Sequence, residues 1–363
     1  MTIDARAVDE AAERLAGVVI RTPLQRNDRL SAATGAEVWL KREDLQPVRS
    51  YKIRGAYNLI SQLDVAHRQA GVVCASAGNH GQGVAFACAR LGIRGRIFVP
   101  ATTPRQKRER ILALGEGRVD LAVTGDTYDD AAAAAKLEAG GTGATVVPAF
   151  DDARTIAGQG TVAKEIVDQL GTAPDVVVAP VGGGGMIAGC LAYLGERHPD
   201  VKIVGAEPAG ASSMAAALAA GRPVELGEMD TFVDGAAVRR VGDLTFEIAQ
   251  RHRPELYAVP EGRICSEMLA LYQTEGIVTE PAGALAAASL GLYRPDPGQT
   301  VVVLVSGGNN DVSRYAEILE RSLVYEGRKH YFLVNFPQEP GALRRFLDEV
   351  LGPDDDITHF EYV

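Results

Sequence analysis

Cysteine is scarce in this sequence and is never clustered. The chain has 4 cysteines in 363 residues, and they lie far apart, at Cys74, Cys88, Cys190 and Cys265. Zinc and iron–sulfur sites need cysteines a few residues apart, and a secreted disulfide framework needs many more in a short chain. The pattern therefore disfavours a cysteine-based metal site and is typical of reduced thiols that fill a core in the cytosol.

An excess of positive charge and a long apolar run are also missing. The formal net charge is −10 and the pI is near 5.2, which argues against nucleic acid or an anionic membrane as a partner. No stretch approaches the roughly 20 apolar residues of a membrane span. Residues 1–17 are charged and lack the apolar region of a signal peptide. We therefore expect a cytoplasmic protein.

Short apolar runs alternate with helical patterns through the middle of the chain. The strand candidates are residues 71–76, 96–100, 145–150, 175–181, 202–208, 256–260 and 300–306. Helical stretches follow them, among others at 79–91, 157–170, 185–197 and 211–220. Continuous Val/Ile/Leu strands between helices indicate parallel strands covered on both faces. The predicted class is α/β with open, doubly wound sheets, in which ligands bind beyond the carboxyl ends of the strands.

The pattern changes after about residue 327. Residues 329–336 and 357–363 are strand candidates, and residues 339–351 predict a helix with Pro340 near its first turn. Three elements bury little apolar surface by themselves. We therefore expect a β-α-β unit that is cut short or completed by another chain.

A run of glycines at 181–186 lies directly between a predicted strand and a predicted helix. Successive glycines let backbone N–H groups converge, and a helix N-terminus adds positive potential, so the segment predicts a phosphate site. It also fits a dinucleotide site, because Gly183, Gly185 and Ala188 match GxGxxG/A and Glu207 ends the next strand. A glycine-rich hinge is a third interpretation, and this segment alone does not decide among them.

A single lysine, Lys52, lies in the segment SYKIRGA at 50–56, with Arg42, Arg49 and Arg54 nearby. Neighbouring positive charge favours a neutral amine if the lysine is also desolvated. A neutral lysine is what a Schiff base with an aldehyde cofactor requires. For an arbitrary lysine a solvated basic face is the commoner explanation, so the surrounding motif has to decide.

Four motifs occur in an order that resembles the fold-type II pyridoxal-phosphate (PLP) enzymes. SYKIRGA resembles their lysine motif, SAGNHGQGVA at 76–85 their motif for the substrate carboxylate and the cofactor ring, VGGGGM at 181–186 their phosphate cradle, and SGGNND at 306–311 their ring-nitrogen site. A dinucleotide enzyme would explain only the third motif. The resemblance implies two sheets, a large PLP-binding domain at 1–52 and 150–326, a small domain at 53–149 inserted in it, and an incomplete ACT-like domain at 327–363.

Longer segments look most like threonine ammonia-lyase (threonine dehydratase). These segments are 41–58, 232–238, 279–284 and 306–315, while 330–352 resembles the start of the ACT-like regulatory domain of the short biosynthetic form. The resemblance implies deamination of L-threonine to 2-oxobutanoate and ammonia, the first step of isoleucine biosynthesis, and deamination of L-serine as well, in a dimer or tetramer. Family members continue beyond this point and complete the domain, so we expect little response to isoleucine.

Three alternative functions remain open at this point. One is a catabolic serine/threonine dehydratase, and another is a β-replacing PLP synthase, which would need a second, nucleophilic substrate. The third is an amino-acid sensor whose catalytic fold has decayed, against which the intact Lys52 argues.

The resemblance implies a role for each matched residue. Lys52 binds the cofactor as a Schiff base and, once released, takes the α-proton of the substrate. The other cofactor-binding residues are Tyr51 at the pyridine face, Asn79 at the phenolic oxygen, Ser306 at the pyridine nitrogen, and Gly182, Gly183, Gly184, Gly185 and Met186 at the phosphate. The substrate carboxylate is bound by Ser76, Asn79 and His80, with the amides around Gly78 and Gly81. A plainer interpretation of His80 is a helix-start residue bonded to backbone.

Ser306 has a chemical consequence, because a hydroxyl does not hold the pyridine nitrogen protonated as a carboxylate would. The ring is then a weaker electron sink, which suits elimination of a β-hydroxyl. The cofactor phosphate is the family's expected acid for the leaving group. Serine racemases of the family carry a serine where this chain has Ala77, and an aspartate that helps bind a divalent ion near the Glu207 position where this chain has Ser213. We expect neither racemisation nor an obligatory metal, although Glu207 stays open between a cation ligand and a surface acid.

Overall fold

The computed structural model describes residues 3–337 and 339–361. Its strands are β1 (Leu24–Arg26), β2 (Glu37–Arg42), β3 (Val72–Ala75), β4 (Gly95–Val99), β5 (Val119–Val123), β6 (Thr145–Val146), β7 (Val176–Pro180), β8 (Lys202–Pro208), β9 (Glu255–Val259) and β10 (Thr300–Val305). Its helices are α1 (Ala5–Leu15), α2 (Asp28–Thr34), α3 (Lys52–Ser61), α4 (Val65–Ala70), α5 (Asn79–Leu91), α6 (Arg105–Gly115), α7 (Tyr128–Thr142), α8 (Ala153–Leu170), α9 (Gly185–Arg197), α10 (Ser213–Ala220), α11 (Asp243–His252), α12 (Glu261–Glu275), α13 (Pro281–Ser289), α14 (Tyr315–Tyr325) and α15 (Ala342–Glu349). Short 3-10 helices lie at Glu43–Leu45, Ala209–Ala211 and Val312–Arg314.

The strands form two open sheets. The larger has the order β1-β2-β10-β7-β8-β9, and the smaller has the order β5-β4-β3-β6. Every neighbouring pair is parallel except β1 with β2. On β7, Val176 and Val178 pack into one apolar core while Val177 and Ala179 pack into another, so both faces of the larger sheet are buried. The prediction of two open, mostly parallel sheets is confirmed.

Most predicted elements lie where the hydrophobic pattern places them. The helices at 79–91 and 185–197 and the strand at 202–208 have the predicted bounds. The strand predicted at 145–150 is wrong in extent, because it ends at Val146. Pro148 has no N–H to donate to a ladder, and the chain bends after it. In the part of the chain that the structure describes, no helix is long and apolar enough to cross a membrane.

The sequence did not indicate strand β2, because its second half is charged. In the structure the side chain of Lys41 is fully buried. Its Nζ donates to Glu165 Oε1 at 2.6 Å, Thr22 O at 2.8 Å and Gln169 Oε1 at 2.9 Å. A lysine can be buried when partners satisfy all of its donors, so a charged segment becomes a strand inside the larger sheet.

The C-terminal unit differs from its prediction. Helix α15 forms, but residues 329–336 and 357–361 are not strands, and Tyr362 and Val363 lie outside the described residues. Phe332 and Leu333 are 80% and 101% exposed. A strand needs a neighbour to take up its N–H and C=O groups, and neither segment has one among the described residues. The two strand predictions are therefore wrong for the chain by itself.

Candidate active site

The lysine motif and the SGGNND motif meet at the carboxyl end of the larger sheet. Strand β10 ends just before Ser306, and the Tyr51 amide donates to the Ser306 carbonyl at 3.2 Å. Ser50 and Gly307 form an isolated antiparallel bridge. These contacts hold the start of α3, and with it Lys52, beside the loop that follows β10.

The amine of Lys52 lies in a partly buried position with a lowered pKa. Its Nζ donates to the Ala149 carbonyl at 3.1 Å and lies 5.2 Å from the centroid of the Tyr51 ring. Burial lowers the pKa of Lys52 to about 8, against the opposing effect of the Glu280 charge. The amine is therefore far more available in neutral form than that of an exposed lysine.

The arginines near Lys52 in the sequence are not the cause of this shift. Arg54 is fully buried and donates to both oxygens of Glu43, each at 2.8 Å, while Arg42 pairs with Asp44. Their charges are neutralised locally. The sequence pattern suggested that neighbouring positive charge would favour a neutral amine if the lysine were also desolvated. In the structure, desolvation itself is the effect that lowers the Lys52 pKa.

Asn79 connects the SAGNH motif to the loop after β10. Asn309 Nδ2 donates to Asn79 Oδ1 at 2.7 Å, and Asn79 Nδ2 donates to Glu280 Oε1 at 2.5 Å. The backbone amides of Asn79, His80 and Gly81, at the start of the 13-residue helix α5, donate to no acceptor within the described ranges. Free amides at a helix start are suited to bind a carboxylate.

The ring of His80 does not act as the carboxylate clamp that the motif implies. Its Nε2 donates to the Val147 carbonyl at 2.8 Å, and burial and the Lys52 charge lower the pKa of His80 to about 4, against the effect of the Val147 bond. A neutral imidazole that donates through Nε2 has only a lone pair at Nδ1, and a lone pair repels a carboxylate. The ring is bonded to backbone, so any bond from His80 to the substrate carboxylate comes from its amide.

Ser76 lies at the turn into α5, and Ser306 is buried just after the end of β10. Ser76 Oγ accepts a bond from the Gly78 amide at 3.3 Å and stays partly exposed. Ser306 Oγ donates to the Ala282 carbonyl at 3.1 Å. Because a hydroxyl hydrogen can rotate, Ser306 can donate instead to an unprotonated ring nitrogen.

The glycine loop forms a tight turn between β7 and α9. Gly184 has φ of +93°, and a Cβ there would lie 2.6 Å from Met214 Cε and 2.9 Å from Thr245 Cβ. Thr245 Oγ1 donates to the Gly183 carbonyl at 2.7 Å. The amides of residues 182–186 donate to no acceptor in the described parts of the chain. A row of free N–H groups at a helix start is the arrangement that binds phosphate.

Helix α8 fixes the lysine and the glycine loop relative to each other. A Cβ at Gly158 would lie 2.6 Å from the Arg54 carbonyl oxygen on α3, and one at Gly160 would lie 2.7 Å from the Gly189 carbonyl oxygen on α9. Such close approach is possible only without side chains. Helices α3 and α9 therefore both pack directly on α8, which sets the separation of Lys52 from the phosphate loop.

The sequence analysis missed two residues of this site, although both lie in motifs that it quoted. Glu280 is 5% exposed, and burial and the charge of Asp234 raise its pKa to about 7, against the effects of Asn79, Lys107 and Lys52. Asn309 bonds Asn79 and also donates to the Val48 carbonyl at 2.8 Å. The sequence signal for Glu280 was its place in the segment 279–284, directly before Pro281.

Glu207 is not the surface acid considered above. It is 1% exposed and accepts bonds from the amides of Met214 and Ala215 at 2.7 and 2.9 Å, which caps helix α10. Burial raises the pKa of Glu207 to about 7, against the effect of these two bonds. Within residues 3–337 and 339–361, no group of three or more His, Cys, Asp or Glu side chains is arranged to hold a metal ion.

These features fit one cofactor. A buried amine of lowered pKa suits an aldehyde, and the free amides of residues 182–186 suit a phosphate. A family model described as "Pyridoxal-phosphate dependent enzyme" matches residues 15–307. The fold and the site thus define a pyridoxal-phosphate dependent enzyme, and the dinucleotide interpretation of the glycine loop is excluded.

The comparisons with whole proteins narrow the family. The chain is 63% identical over 358 residues to "L-threonine dehydratase biosynthetic IlvA" of Mycobacterium tuberculosis. The aligned residues cover 98% of this chain and 83% of the relative. It is 50% identical over 361 residues to the protein of the same name from Bacillus subtilis, with 99% and 86% covered. Residues 320–363 match the C-terminal regulatory domain of threonine dehydratase. The chain belongs to the threonine dehydratase family.

Solved structures agree with this assignment. Threonine deaminase isoform 2 of Solanum lycopersicum superposes with a TM-score of 0.84 at 36% identity, covering 88% of each chain. Maize serine racemase superposes with a TM-score of 0.81 at 30% identity, covering 90% of this chain and all of that one.

Proposed function

We propose that this protein deaminates L-threonine, giving 2-oxobutanoate and ammonia as the first step of isoleucine biosynthesis, and that it also deaminates L-serine. The observation that carries the proposal is the position of the Lys52 amine, buried and of lowered pKa, among the contacts that join three motifs. The names of the relatives at 50–63% identity support the choice of threonine.

Each residue has a proposed role in binding the cofactor. Lys52 is the point of covalent attachment, and the amides of residues 182–186 bind the phosphate. Asn79 and Ser306 bind the phenolic oxygen and the ring nitrogen, and the Tyr51 ring packs near the pyridine face. When bound, pyridoxal phosphate supplies an electron-withdrawing ring that acidifies the α-carbon of an attached amino acid.

The chain's own residues then position the substrate and move its α-proton. The free amides at the start of α5, with the hydroxyl of Ser76, bind the substrate carboxylate. Lys52, once neutral and released, takes the α-proton, because its lowered pKa leaves it an effective base near neutral pH. Loss of the β-hydroxyl follows, and the enamine product hydrolyses to the 2-oxo acid and ammonia.

The test is an assay of 2-oxo acid from purified protein, pyridoxal phosphate and L-threonine, with Lys52→Ala as the matched control. We expect 2-oxobutanoate from the native protein and none above background from the variant, since the attachment point and the base are one residue. A second arm adds a thiol. If the thiol is consumed and no 2-oxo acid is formed, the protein is a β-replacing enzyme. If the native protein binds threonine but forms no product, it is a sensor.

The organisation of the whole protein also enters the proposal. We place a large PLP-binding domain at 1–52 and 150–326, a small domain at 53–149, and a regulatory unit at 327–363. The proposed small domain agrees with strands β3 to β6, which all lie within 72–146.

We further propose that the chain works in the cytoplasm and self-associates into a dimer or tetramer. Exposed apolar side chains of the C-terminal unit, such as Phe332 and Leu333, support self-association.

A further inference from the structure

Glu280 is a buried carboxyl group that the proposed roles leave without a task. It lies just before Pro281, the first residue of α13, and is 5% exposed. Its amide donates to the Gly307 carbonyl at 3.2 Å, and its Oε1 accepts from Asn79 Nδ2. A Cβ on Gly307 would collide with Glu280 Oε1 and would lie 3.2 Å from Asn79 Nδ2. Glycine at position 307 therefore leaves the space in which Glu280 and Asn79 meet.

The side-chain amide of Asn79 can take only one orientation. Asn309 Nδ2 carries two hydrogens, of which one goes to the Val48 carbonyl at 2.8 Å and the other to Asn79 Oδ1 at 2.7 Å. Asn79 Oδ1 is therefore fixed on the Asn309 side, and Asn79 Nδ2 faces Glu280. Of the two hydrogens on Asn79 Nδ2, one bonds Glu280 and the second remains for another acceptor.

Glu280 contacts both of the segments to which the cofactor ring is assigned in the proposed site. That site has Asn79 at the phenolic oxygen and Ser306 at the ring nitrogen, and one carbon of the ring separates this nitrogen from the carbon that bears the oxygen. Glu280 contacts Asn79, and its amide bonds Gly307, the residue after Ser306. The carboxyl group of Glu280 therefore contacts one of these two residues directly, and its backbone is bonded to the residue that follows the other.

We propose that Glu280 is a positioning residue that acts through Asn79: with Asn309 it holds the Asn79 amide so that the remaining N–H points at the phenolic oxygen of the cofactor. The inference rests on the proposed function, since it takes Asn79 as a cofactor ligand. Glu280 itself does not take part in the chemistry.

The charge of Glu280 makes this device sensitive to pH. The groups that face its carboxyl group are Asn79 on α5, Lys52 on α3, Lys107 on α6 and Asp234 in the loop before α11. The pKa of Glu280 is raised to about 7, chiefly by burial and then by Asp234. As pH falls through 7 the carboxylate gains a proton and becomes a weaker acceptor, so Asn79 is held less firmly.

The experiment measures the cofactor dissociation constant and the absorbance of the bound cofactor across pH for five variants, one of which is a matched control. Glu280→Ala removes the acceptor and should weaken cofactor binding about tenfold, the usual effect of losing one charge-assisted hydrogen bond. Glu280→Gln keeps an oxygen for Asn79 and should bind within about threefold of the native protein, but its absorbance should no longer titrate near pH 7. Asn309→Ala, which releases the other end of the amide, should behave as Glu280→Ala does.

The matched control is Glu267→Ala, since Glu267 is also a buried carboxyl group with a raised pKa, but pairs with Arg29 on helix α2. It should lower the melting temperature and leave cofactor binding and absorbance unchanged. Asn79→Ala separates the two hypotheses. If Asn79→Ala binds the cofactor as the native protein does, the proposed site is wrong. If Asn79→Ala weakens binding while Asn309→Ala and the folded Glu280 variants match the native protein in affinity and absorbance, the positioning role is wrong.

Discussion

At the scale of single residues, the pKa of Lys52 governs how the protein takes up its cofactor. An amine with a pKa of about 8 is half neutral at pH 8, whereas a lysine at the ordinary value of 10.5 is about 0.3% neutral there. Capture of the aldehyde by the cofactor-free protein should therefore rise about tenfold per pH unit below pH 7 and level off above about pH 8.5. Stopped-flow absorbance measures this rate.

Pyridoxine 5′-phosphate is the control for the capture experiment, because it carries the phosphate but no aldehyde and should show no such rise. A capture rate that still climbs steeply through pH 10 would mean that Lys52 has an ordinary pKa. In that case burial would not activate the amine.

If Ser306 lies at the ring nitrogen, as proposed, it sets how strongly the cofactor ring withdraws electrons. Ser306→Asp places a carboxylate where the native hydroxyl lies, 3.1 Å from the Ala282 carbonyl, and should keep the ring nitrogen protonated. Negative charge at the α-carbon is then better stabilised, so we expect slower elimination together with racemisation or transamination. Chiral chromatography of recovered threonine and assay of the aminated cofactor detect these products. With Ser306→Ala as the control, an unchanged elimination rate and no new product in Ser306→Asp would refute the electron-sink argument.

The residues that the sequence identified are those that act within one short motif. Lys52 and the glycines at 182–185 were assigned through the family resemblance of their short motifs, since the residues alone left a solvated basic face, a dinucleotide site and a glycine hinge open. Glu280 and Asn309 could not be assigned in this way, because their roles depend on bonds to Asn79, which lies 201 and 230 residues away in sequence. The sequence did not predict the cause of the lowered Lys52 pKa for the same reason, because burial is a tertiary property.

At the scale of secondary-structure elements, patterns predict those segments whose burial is uniform. Strand β7 is buried along its whole length, and its continuous apolar run is the sequence pattern that predicts this burial. Strand β2 carries Lys41 into the interior, where Glu165 pairs with it from a helix 124 residues further on. No periodicity reveals such a pairing, so charged segments that become buried are the ones that are missed.

The turn between β7 and α9 offers a test at this scale. In Gly184→Val the side chain would press on Met214 and Thr245, and a β-branched residue is strained at φ of +93°. We expect the cofactor dissociation constant, measured by fluorescence, to rise at least about tenfold, which corresponds to 1.4 kcal/mol. Gly221→Val is the matched control, because Gly221 has a φ of +68° but open space around it, so it introduces the strain without touching the loop. Equal dissociation constants in the native protein and a folded Gly184→Val would count against the phosphate site.

At the scale of the whole molecule, the two sheets form around residues whose pattern the sequence reveals, whereas the described residues of the two predicted C-terminal strands form no strand. Residues 320–363 match the regulatory domain of threonine dehydratase. Apolar periodicity predicted two strands there, yet a strand exists only when a neighbour takes up its backbone groups. The apolar pattern thus indicates that these two segments are able to form strands. Among the described residues, neither segment has a neighbouring strand to pair with.

The last prediction concerns regulation by isoleucine. Allosteric inhibition requires an effector site that exists in two states coupled to the active site. Here Phe332 and Leu333 are 80% and 101% exposed, and among the described residues the segments on either side of helix α15 form no strand pairs. We expect an active enzyme whose half-saturating threonine concentration moves less than about twofold with isoleucine, against the 5- to 150-fold typical of coupled sites. Threonine saturation curves at rising isoleucine measure this, with sedimentation at the same protein concentration as the control for self-association. A sigmoidal curve that shifts strongly below millimolar isoleucine would contradict the prediction, and a dimer that appears with it would place the effector site between two copies of the C-terminal unit.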